Sequence, residues 1–139
     1  MGSLFADFGL NPLMGRVFGL LLASEEALSL SRIAAELEVS KATVSILIRQ
    51  LESFGYCQKL PTKGNREHFY LLRENYLPFS YGKRISREMS QLDIIRELGD
   101  AERDAPAFIR ARIEEFMAFN EFIISEQGKA LDKWKRNEG

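Results

Sequence analysis

One thiol and one imidazole have the widest chemical repertoire in this sequence. Cys57 and His68 are the single cysteine and the single histidine among 139 residues. They cannot supply the spaced Cys/His ligands of a structural zinc site, and a lone cysteine cannot form a disulfide within the chain. A Cys57/His68 catalytic pair would need a third, orienting group, and none is evident. We therefore predict no catalytic residue, no metal site and no cofactor. An oxidant-sensing Cys57 is an alternative to the favoured role, a small residue buried at a strand start.

Positive charge is concentrated in one segment of an otherwise balanced chain. The sequence has 19 Lys and Arg against 20 Asp and Glu, for a net charge of −1, and this average argues against a nucleic-acid partner. Residues 40–73, however, hold six cations and two anions, whereas residues 1–39 carry −3 and residues 74–139 carry −2. Because binding of a duplex needs a local surplus of cations, residues 40–73 are the candidate anion-binding region.

The elements that must position these cations are short helices followed by a hairpin. Apolar periodicity predicts helices from residue 12 to about 23, from about 30 to 38, and from 41 to 54. A short extended piece at residues 28–30 leads into the second helix. Ser29 and Ser40 are the N-cap candidates of the second and third helices, and Gly55 is the predicted stop of the third. The third helix has an apolar stripe consisting of Val44, Leu47, Ile48 and Leu51.

Two strand-like runs follow the third helix. They span residues 56–60 and 68–72, and the polar loop between them contains Gly64 and Asn65, which hairpin loops favour. Helices joined by a tight turn and followed by a two-stranded wing describe a winged helix-turn-helix. The predicted fold class is mainly α with a small β-hairpin wing.

In such a fold, the N-terminal turn of the third helix normally enters the major groove of DNA, and a wing arginine can enter a minor groove. Free N–H groups at the helix start can also bind a phosphate. The predicted DNA-binding residues on the helix are Ser40, Lys41, Ala42, Thr43, Ser45 and Arg49. Those in the wing are Lys63, Asn65 and Arg66.

Long helices are predicted beyond residue 76. One starts near Leu77-Pro78 and weakens at Gly99-Asp100; the last is capped by Asp104, opens at Pro106 and reaches about Lys135. The last helix has more apolar residues than one stripe, which favours a dimer interface; the alternative is that the preceding helix folds back over them. The predicted interface residues are Phe108, Ile113, Phe116, Phe119 and Ile123. We accordingly predict a DNA-binding domain at residues 1–76 and a helical dimerisation region at residues 77–139.

Several segments resemble the MarR-like winged-helix regulators, and among them the GbsR group of repressors. Residues 9–21 (GLNPLMGRVFGLL) look like the opening helix of that group. Residues 28–37 (LSLSRIAAEL), 39–45 (VSKATVS) and 51–56 (LESFGY) look like its two DNA-reading helices. In the wing, Asn65 replaces an acidic residue that the family often has and Glu67 replaces a cation, which leaves Arg66 as the wing-tip arginine.

The resemblance implies a homodimeric transcriptional regulator, a repressor, that binds a pseudo-palindromic operator in double-stranded DNA and releases it when a small molecule binds. In the best-known members the ligand is choline or a related quaternary amine, held by aromatic faces. The candidate effector-binding residues are Phe54, Tyr76, Phe79 and Tyr81; the alternative is that most of these aromatic residues are core. A different class of function, a winged-helix protein-protein interaction module, also fits the pattern.

The longest apolar run, residues 17–23, is too short to span a bilayer, and the expected location is cytoplasmic.

Overall fold

Helices account for most of the chain, and a small antiparallel sheet lies between them in sequence. The computed structural model describes residue 9, residues 11–61, residue 64, residues 66–101 and residues 103–138. The elements are α1 (Pro12–Leu22), β1 (Leu28–Ser29), α2 (Leu30–Leu37), α3 (Lys41–Phe54), β2 (Cys57–Leu60), β3 (Phe69–Leu72), α4 (Tyr76–Ala101) and α5 (Ala107–Glu138). The order confirms the predicted fold class, a winged helix-turn-helix followed by long helices.

Side-chain caps fix the starts of the three short helices. The Asn11 Oδ1 accepts the N–H of Leu13 at 3.0 Å, and the Ser29 Oγ accepts the N–H of Arg32 at 3.1 Å. Each contact satisfies an N–H group that has no partner within its helix. The cap predicted at Ser29 is confirmed.

Residues with a left-handed backbone conformation, at positive φ, end α2 and α3. Glu38 closes α2 with a φ of 56°, a conformation that costs a non-glycine residue about 1 kcal/mol or more. Gly55 ends α3 with a φ of 92°, and the lack of a Cβ makes this position easy for glycine. The tight turn between α2 and α3 is therefore set by the backbone at residues 38–40.

The sheet has the strand order β1-β3-β2, with both pairs antiparallel. Leu28 of β1 pairs with Tyr70, while Cys57 of β2 pairs with Leu72. The hairpin β2–β3 was predicted from sequence, and each strand begins one residue later than predicted. The short β1 joins the wing to the start of α2.

The core of this first part lies between α1, α2, α3 and the sheet. The predicted stripe on α3 is buried, with Val44, Ile48 and Leu51 fully inaccessible. The Phe18 ring of α1 meets the Tyr56 ring edge-on, with centroids 5.5 Å apart. The other buried apolar residues of this core are Met14, Val17, Leu21, Leu28, Ile33, Ala34, Leu37, Leu47, Cys57 and Tyr70.

The chain divides into two compact units, one ending at Ser80 and the other starting at Tyr81. In the second unit α4 and α5 run antiparallel. An ion pair of 2.6 Å joins Arg96 to Glu121. A Cβ atom placed on Gly99 would lie 3.2 Å from the Ile113 Cγ2, so the glycine permits a close approach of the two helices.

The starts of both long helices differ slightly from the prediction. The first begins at Tyr76, because the carbonyl of Asn75 accepts the N–H of Phe79 at 3.0 Å; Pro78 then lies in the first turn, where its missing N–H is not needed. The prediction that Asp104 caps the last helix and Pro106 opens it was wrong. Pro106 occupies the cap position, since its carbonyl accepts the N–H of Arg110 at 3.2 Å.

Among the described residues, no helix combines the length and the apolarity needed to cross a membrane.

Candidate nucleic-acid interface

The start of α3 is fixed by a hydroxyl pair. The Ser40 Oγ accepts the N–H of Thr43 at 3.1 Å and lies 2.8 Å from the Thr43 Oγ1. Both contacts are exposed, and they hold the first turn of α3 in a defined conformation. The cap predicted at Ser40 is confirmed, and this turn lies on the surface with its neighbouring N–H groups at a helix N-terminus.

The face of α3 opposite its buried stripe is exposed along its whole length. Lys41 and Ala42 are exposed in the first turn, and Arg49 is exposed two turns later. Thr43 and Ser45 are half-buried at the border of the two faces. The packing of the stripe thus determines which side of the helix solvent, or a duplex, can reach.

The side chain of Arg49 is positioned by a hydrogen bond to its own helix. Its Nε donates a hydrogen bond to the backbone carbonyl of Ser45 at 3.1 Å. This contact uses one donor of the guanidinium group and leaves its terminal nitrogens for an acceptor outside the chain. The predicted helix residues therefore lie on the exposed side of α3 or at its border, and local hydrogen bonds position Ser40, Thr43 and Arg49.

The wing is tied to α3 by a contact that the sequence did not predict. The carboxylate of Glu52 accepts the N–H of Lys59 in β2 at 3.2 Å. The link depends on where the hairpin packs, which local sequence spacing does not encode. Arg66 and Gly64 are exposed in the loop of the wing. The predicted residues Lys63 and Asn65 lie outside the described residues.

Exposed cations are concentrated in the described part of residues 40–73. Four of them lie on α3, β2 and the wing loop, while Glu52, one of the two anions of the segment, accepts the N–H of Lys59 in β2. They are Lys41, Arg49, Lys59 and Arg66. Arg73 differs from them, because its guanidinium carbon lies 4.1 Å from the centroid of the Phe79 ring.

Cys57 and His68 are in different environments. Cys57 is fully buried, with its Sγ 3.8 Å from the carbonyl oxygen of Ile48, whereas His68 is exposed. Burial raises the pKa of the Cys57 thiol to about 12, with a smaller contribution in the same direction from the Glu52 carboxylate. The thiol is therefore protonated and shielded, as a structural residue would be. No cluster of metal-ligating side chains occurs in the part of the chain that the structure describes.

The predicted effector residues occupy three kinds of position. Phe54 and Tyr76 are half-buried and pack against the core of the first unit, and Tyr76 lies 5.9 Å from the Phe18 ring. Phe79 is 41% exposed, with the guanidinium group of Arg73 over its ring. Tyr81 is half-buried at the start of the second unit.

The α5 helix leaves an unusual amount of apolar surface uncovered. Among the side chains described on α5 none is buried. Of the predicted interface residues, Ile113 and Ile123 are half-buried, whereas Phe108, Phe116 and Phe119 are 58%, 50% and 64% exposed. The folding of α4 against α5 therefore covers one side of α5 in part and leaves an aromatic side open.

Comparisons with known proteins agree with this architecture. A model of the IclR helix-turn-helix domain matches residues 15–61. The chain is 31% identical over 144 residues to the HTH-type transcriptional regulator MmpR5 of Mycobacterium tuberculosis, in an alignment that spans 100% of this chain and 85% of that protein. The crystal structure of a transcriptional regulator superposes with a TM-score of 0.83 at 27% identity, covering 98% of this chain and 93% of that one.

The fold and the exposed surface of α3 define a winged helix-turn-helix DNA-binding protein. The chain belongs to the family of HTH-type transcriptional regulators that includes MmpR5.

Proposed function

We propose that this regulator is a homodimeric repressor of the MarR-like type, in the GbsR group, that binds a pseudo-palindromic operator with α3 and the wing. The observation that carries the proposal is the position of the charge. The only segment with a positive surplus contains a helix whose one face is fully buried and whose other face exposes Lys41 and Arg49. Such a protein acts in the cytoplasm and needs no catalytic residue or cofactor.

In this proposal the first turn of α3 enters the major groove. Lys41 and Arg49 neutralise phosphates or donate to guanine, while the Thr43 and Ser45 hydroxyls bond a base edge or a phosphate. Ala42 allows close approach, and the N–H groups beside Ser40 bind a phosphate. The wing contributes Arg66 to a minor groove, with Lys63 and Asn65 beside it in sequence.

The apolar side of α5 supports the homodimer. Phe119 follows Phe116 by three residues, and Ile123 follows Phe119 by four, so the three side chains lie on one face of the helix. Phe108 lies on the same face, because it precedes Phe119 by eleven residues, which is close to three full turns. A groove of about 370 Å³ continues this apolar surface onto α4, with Leu92, Ile95 and Ile124 among its lining residues. An apolar surface that remains open on a long helix is typical of a contact with a second copy.

A quaternary amine is the proposed effector. The Phe79 ring already accommodates one cation, the guanidinium group of Arg73, at 4.1 Å. An ammonium ligand that uses this ring, with Phe54 and Tyr76 of the same unit as further candidates, would compete with Arg73. Competition of this kind would connect ligand binding to the end of β3, which is part of the wing.

Fluorescence anisotropy with labelled DNA from upstream of the protein's own gene tests the proposal. We expect tight binding that exceeds binding to a scrambled duplex and weakens steeply as salt increases. Added choline is expected to release the DNA. Weak binding that is indifferent to sequence would contradict the proposal and favour a protein-protein interaction module.

A further inference from the structure

A single large apolar side chain lies in the middle of the exposed face of α3. Ile46 is 55% exposed, whereas its neighbours Leu47 and Ile48 are 5% and 0% exposed. One turn before it is the small, exposed Ala42, so nothing bulky on the helix covers that side of the isoleucine. An isolated exposed apolar residue is common on protein surfaces, and its meaning depends on what surrounds it.

The surroundings of Ile46 are side chains suited to base edges. Arg49 and Gln50 follow it by three and four residues, so they adjoin it on the same face, and both are exposed. Arg49 is positioned by its hydrogen bond to the Ser45 carbonyl. Arginine pairs best with guanine and glutamine with adenine, while the typical contact of an apolar side chain in the major groove is with the methyl group of thymine.

We propose that Ile46 recognises the 5-methyl group of a thymine in each operator half-site, and that Ala42 provides the space for it. This inference rests on the proposed DNA-binding function and adds a base preference to it. The thymine methyl is the one alkyl group on the base edges of the major groove, and its contact with Ile46 removes apolar surface of both groups from water. Lys41 and the wing cations cannot supply this preference, since a cation binds a phosphate or a hydrogen-bond acceptor on a base and not a methyl group.

The expected effect follows from the size of one methyl group. Burial of one such group corresponds to about a four-fold change in an equilibrium constant, so we expect about four-fold weaker binding for each methyl group removed. If a symmetric operator has one such thymine in each half-site, removal of both methyl groups would weaken binding about fifteen-fold in total.

The experiment uses the full-length protein and an operator selected by that protein from a pool of random duplexes. Each thymine of the operator is then replaced by deoxyuridine, which lacks only the methyl group, and binding is measured by anisotropy. At one thymine per half-site we expect the replacement to weaken wild-type binding about four-fold. The Ile46→Ala protein is expected to bind both duplexes equally.

Two results would overturn the inference while leaving DNA binding intact. In the first, no replacement of a thymine by deoxyuridine changes the affinity of the wild-type protein. In the second, the replacement weakens the binding of the wild type and of Ile46→Ala by the same factor. Failure to select any duplex would overturn the proposed function and this inference with it. Because Ile46 is exposed, the thermal unfolding temperature of Ile46→Ala should match that of the wild type, which separates lost recognition from lost folding. The Ile46→Val protein should retain part of the preference.

Discussion

The two units of this protein differ in where their apolar side chains lie. In the first unit the apolar faces of α1, α2 and α3 are buried against one another and against the sheet. In the described part of the second unit Leu92 is the only buried side chain, and several phenylalanine rings of α5 are at least half exposed. The first, winged unit therefore completes its core within one chain, whereas the second, helical unit leaves an apolar surface exposed, which the proposed homodimer would cover.

The largest expected effect is on the core of the winged unit. Ile48→Ala should reduce the free energy of unfolding by about 2–5 kcal/mol, because it deletes a fully buried side chain and leaves a cavity. The measurement is urea denaturation followed by circular dichroism. The matched control is Ile46→Ala in the same helix, which should change stability by less than about 0.5 kcal/mol. Equal losses in both variants would show that α3 does not bury the stripe that contains Ile48.

The second effect concerns the open side of α5. Phe119→Glu should raise the dimer dissociation constant about 100-fold or more, because a charge replaces an exposed ring at the proposed interface. Analytical ultracentrifugation measures it. Ser125→Glu, which adds the same charge at an exposed position of α5 about 120° around the helix from Phe119, is the control and should remain dimeric. A Phe119→Glu protein that dimerises like the wild type would place the contact elsewhere.

The third effect is a pH dependence that arises in the winged unit. The pKa of Cys57 is raised from 9.0 to about 12 in the folded chain, so between these values the unfolded chain loses the thiol proton first. The stabilising contribution of this thiol is thus fully present below pH 9 and decreases by up to about 1.4 kcal/mol per pH unit above it. Denaturation of wild type and Cys57→Ala at several alkaline pH values checks this. The variant should show a flatter dependence; parallel curves would contradict the assignment.

The smallest effect is expected at the cap of α3. Ser40→Ala should cost about 1 kcal/mol of stability, because the N–H of Thr43 loses its acceptor. Ser53→Ala removes an exposed hydroxyl that donates to the carbonyl of Gln50 near the other end of α3, and should cost less than about 0.5 kcal/mol. Thermal denaturation distinguishes the two, and a larger loss at Ser53 would contradict the importance of the cap.

Sequence reasoning predicted the features that are encoded locally. Ser29, Ser40 and Gly55 act within one turn of the positions they control, and the stripe of α3 follows from its spacing. The winged order of elements could therefore be predicted. The boundary at Pro106 was missed because cap geometry depends on which carbonyl accepts the first N–H groups of the helix.

Contacts that form only when separate elements pack together could not be predicted in this way. The pairing of the two-residue β1 with β3, and the hydrogen bond from Lys59 N–H to Glu52, depend on how the hairpin packs after folding. The same applies to Arg73, whose guanidinium group meets a ring six residues further along the chain across the start of α4. The structure locates the predicted interface residues and the predicted DNA-binding residues other than Lys63 and Asn65, and the roles of all of them remain predictions.

The salt dependence of DNA binding is the most direct test of the proposed DNA-binding surface, since it reports how many cations contact phosphates. Lys41→Ala and Arg66→Ala are each expected to weaken the binding of operator DNA and to reduce the slope of log K against log salt by about one. Lys133→Ala, which removes an exposed lysine of α5, should leave both quantities unchanged. Unchanged affinity and slope for both Lys41→Ala and Arg66→Ala would contradict the assignment of α3 and the wing as the DNA-binding surface.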